Sequence, residues 1–433
     1  MLKILASLHT LPDIESYKTR LFRNILPVLK RKTSVHVTWL VYQPDKLNLP
    51  PQNDPETTII DIHDYRNAVE IVQKVKPDII YGSPTPNLPD HALTLAGKFL
   101  NIPVVGEAMN QLIIKSSTME VTKSFVSAFF ERSVPTDTDS RKQFMRRGRF
   151  FLFKYLFLLR TQRAIKMNIV KIIHSFFVII RAHFTALKSD VLYDPYFSCT
   201  LNFVESEKLF EQMVNKGFKK STLITTGIPQ YDPVFKRLQN LQQTKNKKIR
   251  VLLLTHSLFE HGYHTRKQRD SLVKGIVSEI CKYKDEMSLV VKIHPSSEIL
   301  SEYQALINPI DPDIPIHNKG DVLDFIEESD VVISYSTSAS VMQALMLKKP
   351  IIFCNFFNLE GDVMLKRGLA YDCKELSSLI PSIRRVMSSN YTTEKIDEFI
   401  RDFFYKLDGL ASERVCEAIF SLLKNKSFAE KVT

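Results

Sequence analysis

Glycine is scarce in this chain, 12 among 433 residues, and neither GxGxxG nor GxxxxGK occurs. That excludes the glycine-rich loops that cradle phosphates in many nucleotide-binding proteins, so any phosphate site here must be built another way. Cysteine is scarcer still. Cys199, Cys281, Cys354, Cys373 and Cys416 are scattered without CxxC spacing. This excludes a disulfide framework or a cysteine zinc site and points to a reducing compartment. Long apolar runs are also missing. The longest candidate, "IIHSFFVII", contains His174 and is half the roughly 18 residues that a spanning helix needs. The opening "MLKILASLHT" lacks the apolar core and cleavage site of a signal peptide and reads as a β-strand. No GxSxG elbow is found, and the "DTD" at 137–139 and "DPD" at 311–313 sit in loop-like contexts, so no metal is expected.

Acids are absent from one long stretch. Residues 141–190 hold twelve Lys or Arg against the single Asp190, so +11 of the net charge of +12 lies there. The rest of the chain is nearly neutral, which argues for a local basic element and against a general nucleic-acid binder. No proline falls between Pro135 and Pro195, so long helices are permitted. Arg146, Arg149, Arg160, Arg163 and Lys171 recur at intervals built from threes and fours, which puts them on one stripe of a straight helix. Phe150, Phe151, Phe153, Leu156, Phe157, Phe176 and Phe177 lie between them. A solvated helical face is the plain reading of such a stripe. The near absence of acids favours contact with an anionic membrane surface, or with an anionic acceptor polymer.

Elsewhere strand and helix patterns alternate. "KILASL", "VHVTWLVY", "DIIYGS" and "IPVVGE" read as strands separated by amphipathic helices, and alternation resumes near residue 202. The polar "KRLQNLQQTKNKK" (236–248) reads as a linker. Beyond it come "IRVLLLTH", "LVVKIH", "DVVISYS" and "PIIFCN", again with helices between. The pattern predicts an α/β protein of two tandem doubly wound, Rossmann-like domains. The first spans 1–235 with a helical insert at 111–190. The second spans 249–393, and a helical segment at 394–433 is expected to pack back on the first.

In such sheets ligands bind beyond the carboxyl ends of the strands. In the second domain those ends carry Thr255, His256 and Ser257, then Lys292, His294 and Pro295, then Ser336, Thr337 and Ser338. Hydroxyls and cations with hardly any acid describe an anion pocket, with Ser336–Ser338 capping a helix and offering donors to a phosphate. In the first domain His9, Asp13, Ser83, Thr85 and Glu107 follow strands, and a carboxylate there can serve as a general base. Glu107, at the end of "IPVV", is the best placed.

Several stretches carry a family resemblance. "IPVVGEAMN", "SEKLFEQMVNKGF…ITTGIPQYD", "VVKIHP", "SYSTSAS" and "LDGLASERVCEAI" resemble, in that order, motifs of GT-B glycosyltransferase-like proteins. They are similar to the branch that holds UDP-N-acetylglucosamine 2-epimerases, CDP-glycerol glycerophosphotransferases and the sialyl- and Kdo-type transferases with a His-Pro motif. The resemblance covers roughly residues 100–420 without the insert. It implies a GT-B fold, a nucleotide-activated donor with no metal cofactor, and a glycan or lipid-linked acceptor. It further implies that His294 contacts the donor phosphate, that Ser336–Ser338 hold it, that Gly227 belongs to the site, and that Glu107 is the acceptor-side base. The chain departs from the epimerases at Met109, Asn110, Gln111 and Ser257, and has Ser334 where the glycerophosphotransferases have an acid.

The function expected is a metal-independent glycosyltransferase of surface-glycan assembly, on the cytoplasmic face of the membrane. Its alternatives are a CDP-glycerol glycerophosphotransferase-like polymerase, a 2-epimerase-like enzyme, and a non-catalytic membrane- or polyanion-binding protein on the same fold.

Overall fold

The computed structural model of the protein describes residues 1–8, 17–43, 45–49, 54–108, 138–186, 193–240, 248–260, 264–295, 298–356, 363–388 and 394–432. They form two compact units. The first is built from the chain up to Asp232 together with Asp402–Thr433, and the second from Pro233–Arg401.

The first unit is organised on seven strands: β1 (Leu2–Leu8), β2 (Val35–Val41), β3 (Thr57–Asp61), β4 (Ile79–Gly82), β5 (Val104–Ala108), β6 (Leu201–Val204) and β7 (Leu223–Thr225). Their order is β3-β2-β1-β4-β5-β6-β7, with every described pairing parallel. The strands are continuous apolar runs rather than alternating ones, because helices cover both faces of a parallel sheet. The helix Leu88–Phe99 reaches β5 closely because residue 97 is glycine: a Cβ there would sit 2.5 Å from Val104 Cγ2.

The second unit holds β8 (Ile249–Leu254), β9 (Met287–Lys292), β10 (Ile316–His317), β11 (Val331–Ser334), β12 (Ile351–Cys354) and β13 (Tyr371–Cys373). The order is β10-β9-β8-β11-β12-β13, again parallel. The two doubly wound sheets expected from the sequence are therefore present.

The basic insert is two helices, Thr138–Ala164 and Ile169–Ala186. The insert expected from sequence as helical, with Gly148 or other turns as candidate breaks, is broken at Lys166. Lys166 takes a left-handed φ of 56°. The N–H groups of Lys166 and Met167 donate back to Arg163 and Gln162 at 2.9 and 3.0 Å, a Schellman stop made without glycine. Asn168 then caps the second helix by accepting the Lys171 N–H at 2.8 Å. Gly148 does not interrupt the first helix.

The segment read as a linker begins as helix: Asp232–Asn240 covers its first residues, while 241–247 lie outside the described residues. Arg237 on that helix pairs with Asp321, Asp324 and Glu327, within the second unit.

The helix Ala411–Val432 belongs to the first unit. Its Val415, Cys416 and Ile419 join Phe22, Ile25 and Leu29 in one buried cluster. Asp232 holds its start, accepting the N–H groups of Ala411 and Ser412 at 3.0 and 2.8 Å.

Candidate functional site

In the second unit the strand order reverses between β8 and β11, which is where open α/β sheets form their ligand crevice. The exits of β8, β9 and β11 are cross-tied there. His256, after β8, has Nε2 2.8 Å from the Ser334 hydroxyl, and its backbone N–H donates to the Tyr335 phenol at 2.8 Å. Desolvation, aided by nearby His294, pulls the His256 pKa down to about 3. A neutral ring brings no charge to an anion, so His256 clamps the β8 exit to the β11 exit.

The largest surprise is an acid. Glu298 is 5% exposed and accepts from the His294 N–H at 2.5 Å and from the hydroxyls of Thr255 and Tyr303. Burial pushes its carboxyl above the ordinary range, and those hydrogen bonds pull the other way. The expectation of hardly any acid at these strand ends is corrected to this extent: a buried carboxyl holds the β8 exit, the β9 exit and the helix Leu300–Ile307 together. The Tyr303 and Tyr335 phenols are pushed far up by burial and stay protonated.

His294 and Pro295 are exposed. Ser338 caps the helix Ala339–Met346 by accepting the Val341 N–H at 3.3 Å. Ser336 is half-buried and Thr337 buried. The remaining N–H groups of that helix's first turn have no intrahelical carbonyl to bond, which leaves donors for an anion. Lys292 is 5% exposed; its ammonium donates to the Ile293 carbonyl at 3.2 Å and lies 5.9 Å from the Phe325 ring centroid. Thr255, His256, His294 and Ser336–Ser338 are thus gathered at neighbouring strand exits, with Lys292 turned into the protein. Ser296 and Ser297 lie outside the described residues.

In the first unit Glu107 stands at the end of β5, half-buried, and accepts from the Tyr81 phenol at 2.6 Å. Burial first, then Glu107, push the Tyr81 pKa well up. Further along the same exits Ser7 donates to the buried Asp90, Asn87 donates to the Tyr42 hydroxyl at 2.7 Å, and the Ser83 and Thr85 hydroxyls are 3.0 Å apart. His9 and Asp13 lie outside the described residues. Gly227, with φ 78°, sits 3.4 Å (as a built Cβ) from both Ala411 Cβ and the Phe404 carbonyl. Arg414 donates to the Thr226 carbonyl at 2.8 Å beside it. The "GIPQYD" and "DGLASER" stretches therefore interlock, and what surrounds Gly227 in this unit is the C-terminal segment. Arg149, Arg160, Arg163 and Lys171 are exposed on the helical insert; the Arg146 side chain is outside the described residues.

Sequence reading passed over Glu298, Tyr81 and Asp90. For Glu298 a signal existed: an acid four residues after His294 in an otherwise basic and hydroxyl-rich run.

No protein-family model matches the chain, and no curated protein sequence is similar to it. Solved structures are. MnaA of S. aureus, solved with UDP, superposes with a TM-score of 0.51 at 12% identity over 98% of this chain and 97% of that one. The UDP-GlcNAc 2-epimerase of Neisseria meningitidis, bound to UDP-GlcNAc, gives 0.50 at 12% over 97% and 100%. CalG4, the calicheamicin glycosyltransferase, gives 0.53 at 11% over 98% of both chains. With two parallel doubly wound sheets and these likenesses over nearly its whole length, the chain has the GT-B fold shared by nucleotide-sugar 2-epimerases and glycosyltransferases.

Proposed function

We propose that the protein is an enzyme of nucleotide-sugar chemistry, and specifically a metal-independent glycosyltransferase. It would move a sugar from a CMP- or UDP-linked donor to a glycan or lipid-linked acceptor in surface-polysaccharide assembly, at the cytoplasmic membrane face. One observation carries the reading: exposed His294, after β9, and the capped N-terminus of helix Ala339–Met346, after β11, stand at strand exits on either side of β8, beside the topological switch point. In a GT-B fold that is where a donor phosphate belongs.

The chemistry follows from the parts. An acceptor hydroxyl attacks the anomeric carbon as the bond from that carbon to the phosphate oxygen breaks. The hydroxyl proton passes to a general base; the first unit, taken by itself, offers the carboxylate of Glu107 as a candidate. Negative charge growing on the departing phosphate is met by first-turn N–H groups, by the hydroxyls of Ser336–Ser338, and by His294 when protonated. His294 is oriented through its own backbone, because Glu298 fixes its N–H.

The test is a release assay with CMP-, CDP-, UDP- and GDP-sugars and membrane-extract acceptors, with and without EDTA, followed by product analysis. Acceptor-dependent nucleotide release with a new glycosidic bond, unaffected by EDTA, supports the proposal. A phosphodiester product would instead identify a glycerophosphotransferase-like enzyme. The likeness to the 2-epimerases favours a second reading, in which UDP-GlcNAc is converted with no acceptor at all. Release that requires an acceptor contradicts it.

A further inference from the structure

The helix Ile169–Ala186 has two apolar faces, and only one of them is buried. Val178, Ile179 and Ala182 enter the core of the first unit beside Phe150, Phe157 and Leu158 of the preceding helix. The Gln162 amide donates to the Ser175 hydroxyl at 2.8 Å and locks the two helices together. On the opposite side Ile169, Val170, Ile173, Phe177 and Ile180 follow one another at helical spacing and are all exposed, Val170 by 70% and Phe177 by 64%. Phe151, Leu152 and Leu156 of the first helix are exposed as well. A continuous exposed apolar face of this kind marks an interaction surface.

The charges around the face decide what covers it. Arg149, Arg160, Arg163, Lys166 and Lys171 are exposed on these two helices and the turn between them, Arg181 is exposed but paired with Asp194 at 2.9 Å, and no Asp or Glu occurs from 141 to 189. A symmetric contact with a second copy would set this cationic rim against itself, since an isologous interface pairs a patch with its own equivalent. An anionic lipid surface meets both needs at once: acyl chains take the apolar stripe and phosphate headgroups take the rim. Among the described residues no helix is long and apolar enough to cross a membrane, so this helix would lie in the interface rather than span it.

We infer that the exposed face of helix Ile169–Ala186 is a membrane-docking surface, which inserts Ile173, Phe177 and Ile180 shallowly into an anionic bilayer. The inference does not depend on transfer chemistry. It sharpens the expectation from sequence, which rested on the arginine stripe: the apolar residues carry insertion and the cations select the lipid.

The chain's one tryptophan, Trp39, is buried, so a tryptophan placed at 177 reports its own surroundings. The experiment mixes the Phe177→Trp protein with vesicles of phosphatidylcholine alone or of phosphatidylcholine with phosphatidylglycerol. A blue shift with the anionic vesicles only, weakened by salt, is expected. Co-sedimentation of the otherwise native protein should fall about tenfold or more in Ile173→Ser/Phe177→Ser, both sites being exposed and outside the core. No shift and no co-sedimentation overturns the inference. So does a blue-shifted emission without vesicles together with a dimeric mass, which would give the face to a second copy.

Discussion

Glu298 accepts the backbone N–H of His294 at 2.5 Å from a position four residues further along the chain. The same carboxyl takes the Thr255 hydroxyl from 43 residues away and the Tyr303 phenol from the next helix. The backbone that carries an exposed histidine is thus held by a buried acid, which holds the neighbouring strand exit as well.

Replacing that acid should therefore disturb both stability and turnover. In Glu298→Gln an amide N–H must face one of three donors, leaving a buried group unpaired at a cost of about 1–3 kcal/mol. Urea denaturation should show that loss, and sugar transfer should fall about tenfold or more. An unchanged rate in a stable variant would remove Glu298 from the account of His294.

Glu107→Gln should keep the fold, because the glutamine carbonyl can still accept from Tyr81. If Glu107 is the acceptor-side base, turnover falls by about 10²–10⁴ with little change in donor KM. A variant with normal turnover would return Glu107 to a structural role.

His91 gives a pH prediction. It is buried against Tyr196 and Phe197, with both ring nitrogens lacking a hydrogen-bond partner among the described residues. Burial pulls its pKa from 6.5 to about 3. Between those values the unfolded chain binds a proton that the folded chain refuses. Stability is therefore full above pH 6.5 and declines as pH falls, by up to about 1.4 kcal/mol per pH unit. Chemical denaturation at pH 7 and pH 5 should show His91→Phe losing roughly 2 kcal/mol less than the wild type over that interval. Equal losses would mean that another group governs the acid limb.

Asp232→Ala should loosen the C-terminal segment. It removes the acceptor of two N–H groups at the start of helix Ala411–Val432, worth about 1–3 kcal/mol. Hydrogen exchange should quicken first in residues 411–424 and leave the second unit unchanged. Uniform quickening of both units would contradict this local reading.

Much of the architecture was legible because buried parallel strands announce themselves as short apolar runs. "DVVISYS" became β11 (Val331–Ser334), and the hydroxyls after it flank a helix start capped by Ser338. What stayed hidden depends on burial or on distant pairing. The burial that pulls the His256 pKa down to about 3 is not visible in its local sequence. The burial of Lys292, whose ammonium donates to the Ile293 carbonyl, is likewise not written in its local sequence. The break at Lys166 carries neither glycine nor proline to announce it. Glu298 gains its role in part from Thr255, 43 residues away, which no local spacing connects to it.

The central claim, that the strand exits of the second unit hold a donor phosphate, is tested most directly by calorimetric titration with CMP, CDP and UDP in the presence of EDTA. The account predicts saturable binding of at least one of them, unchanged by EDTA and weakened about tenfold or more in His294→Ala. No binding of any nucleotide by the folded wild-type protein, or equal affinity in His294→Ala and in Ser336→Ala/Ser338→Ala, would contradict it.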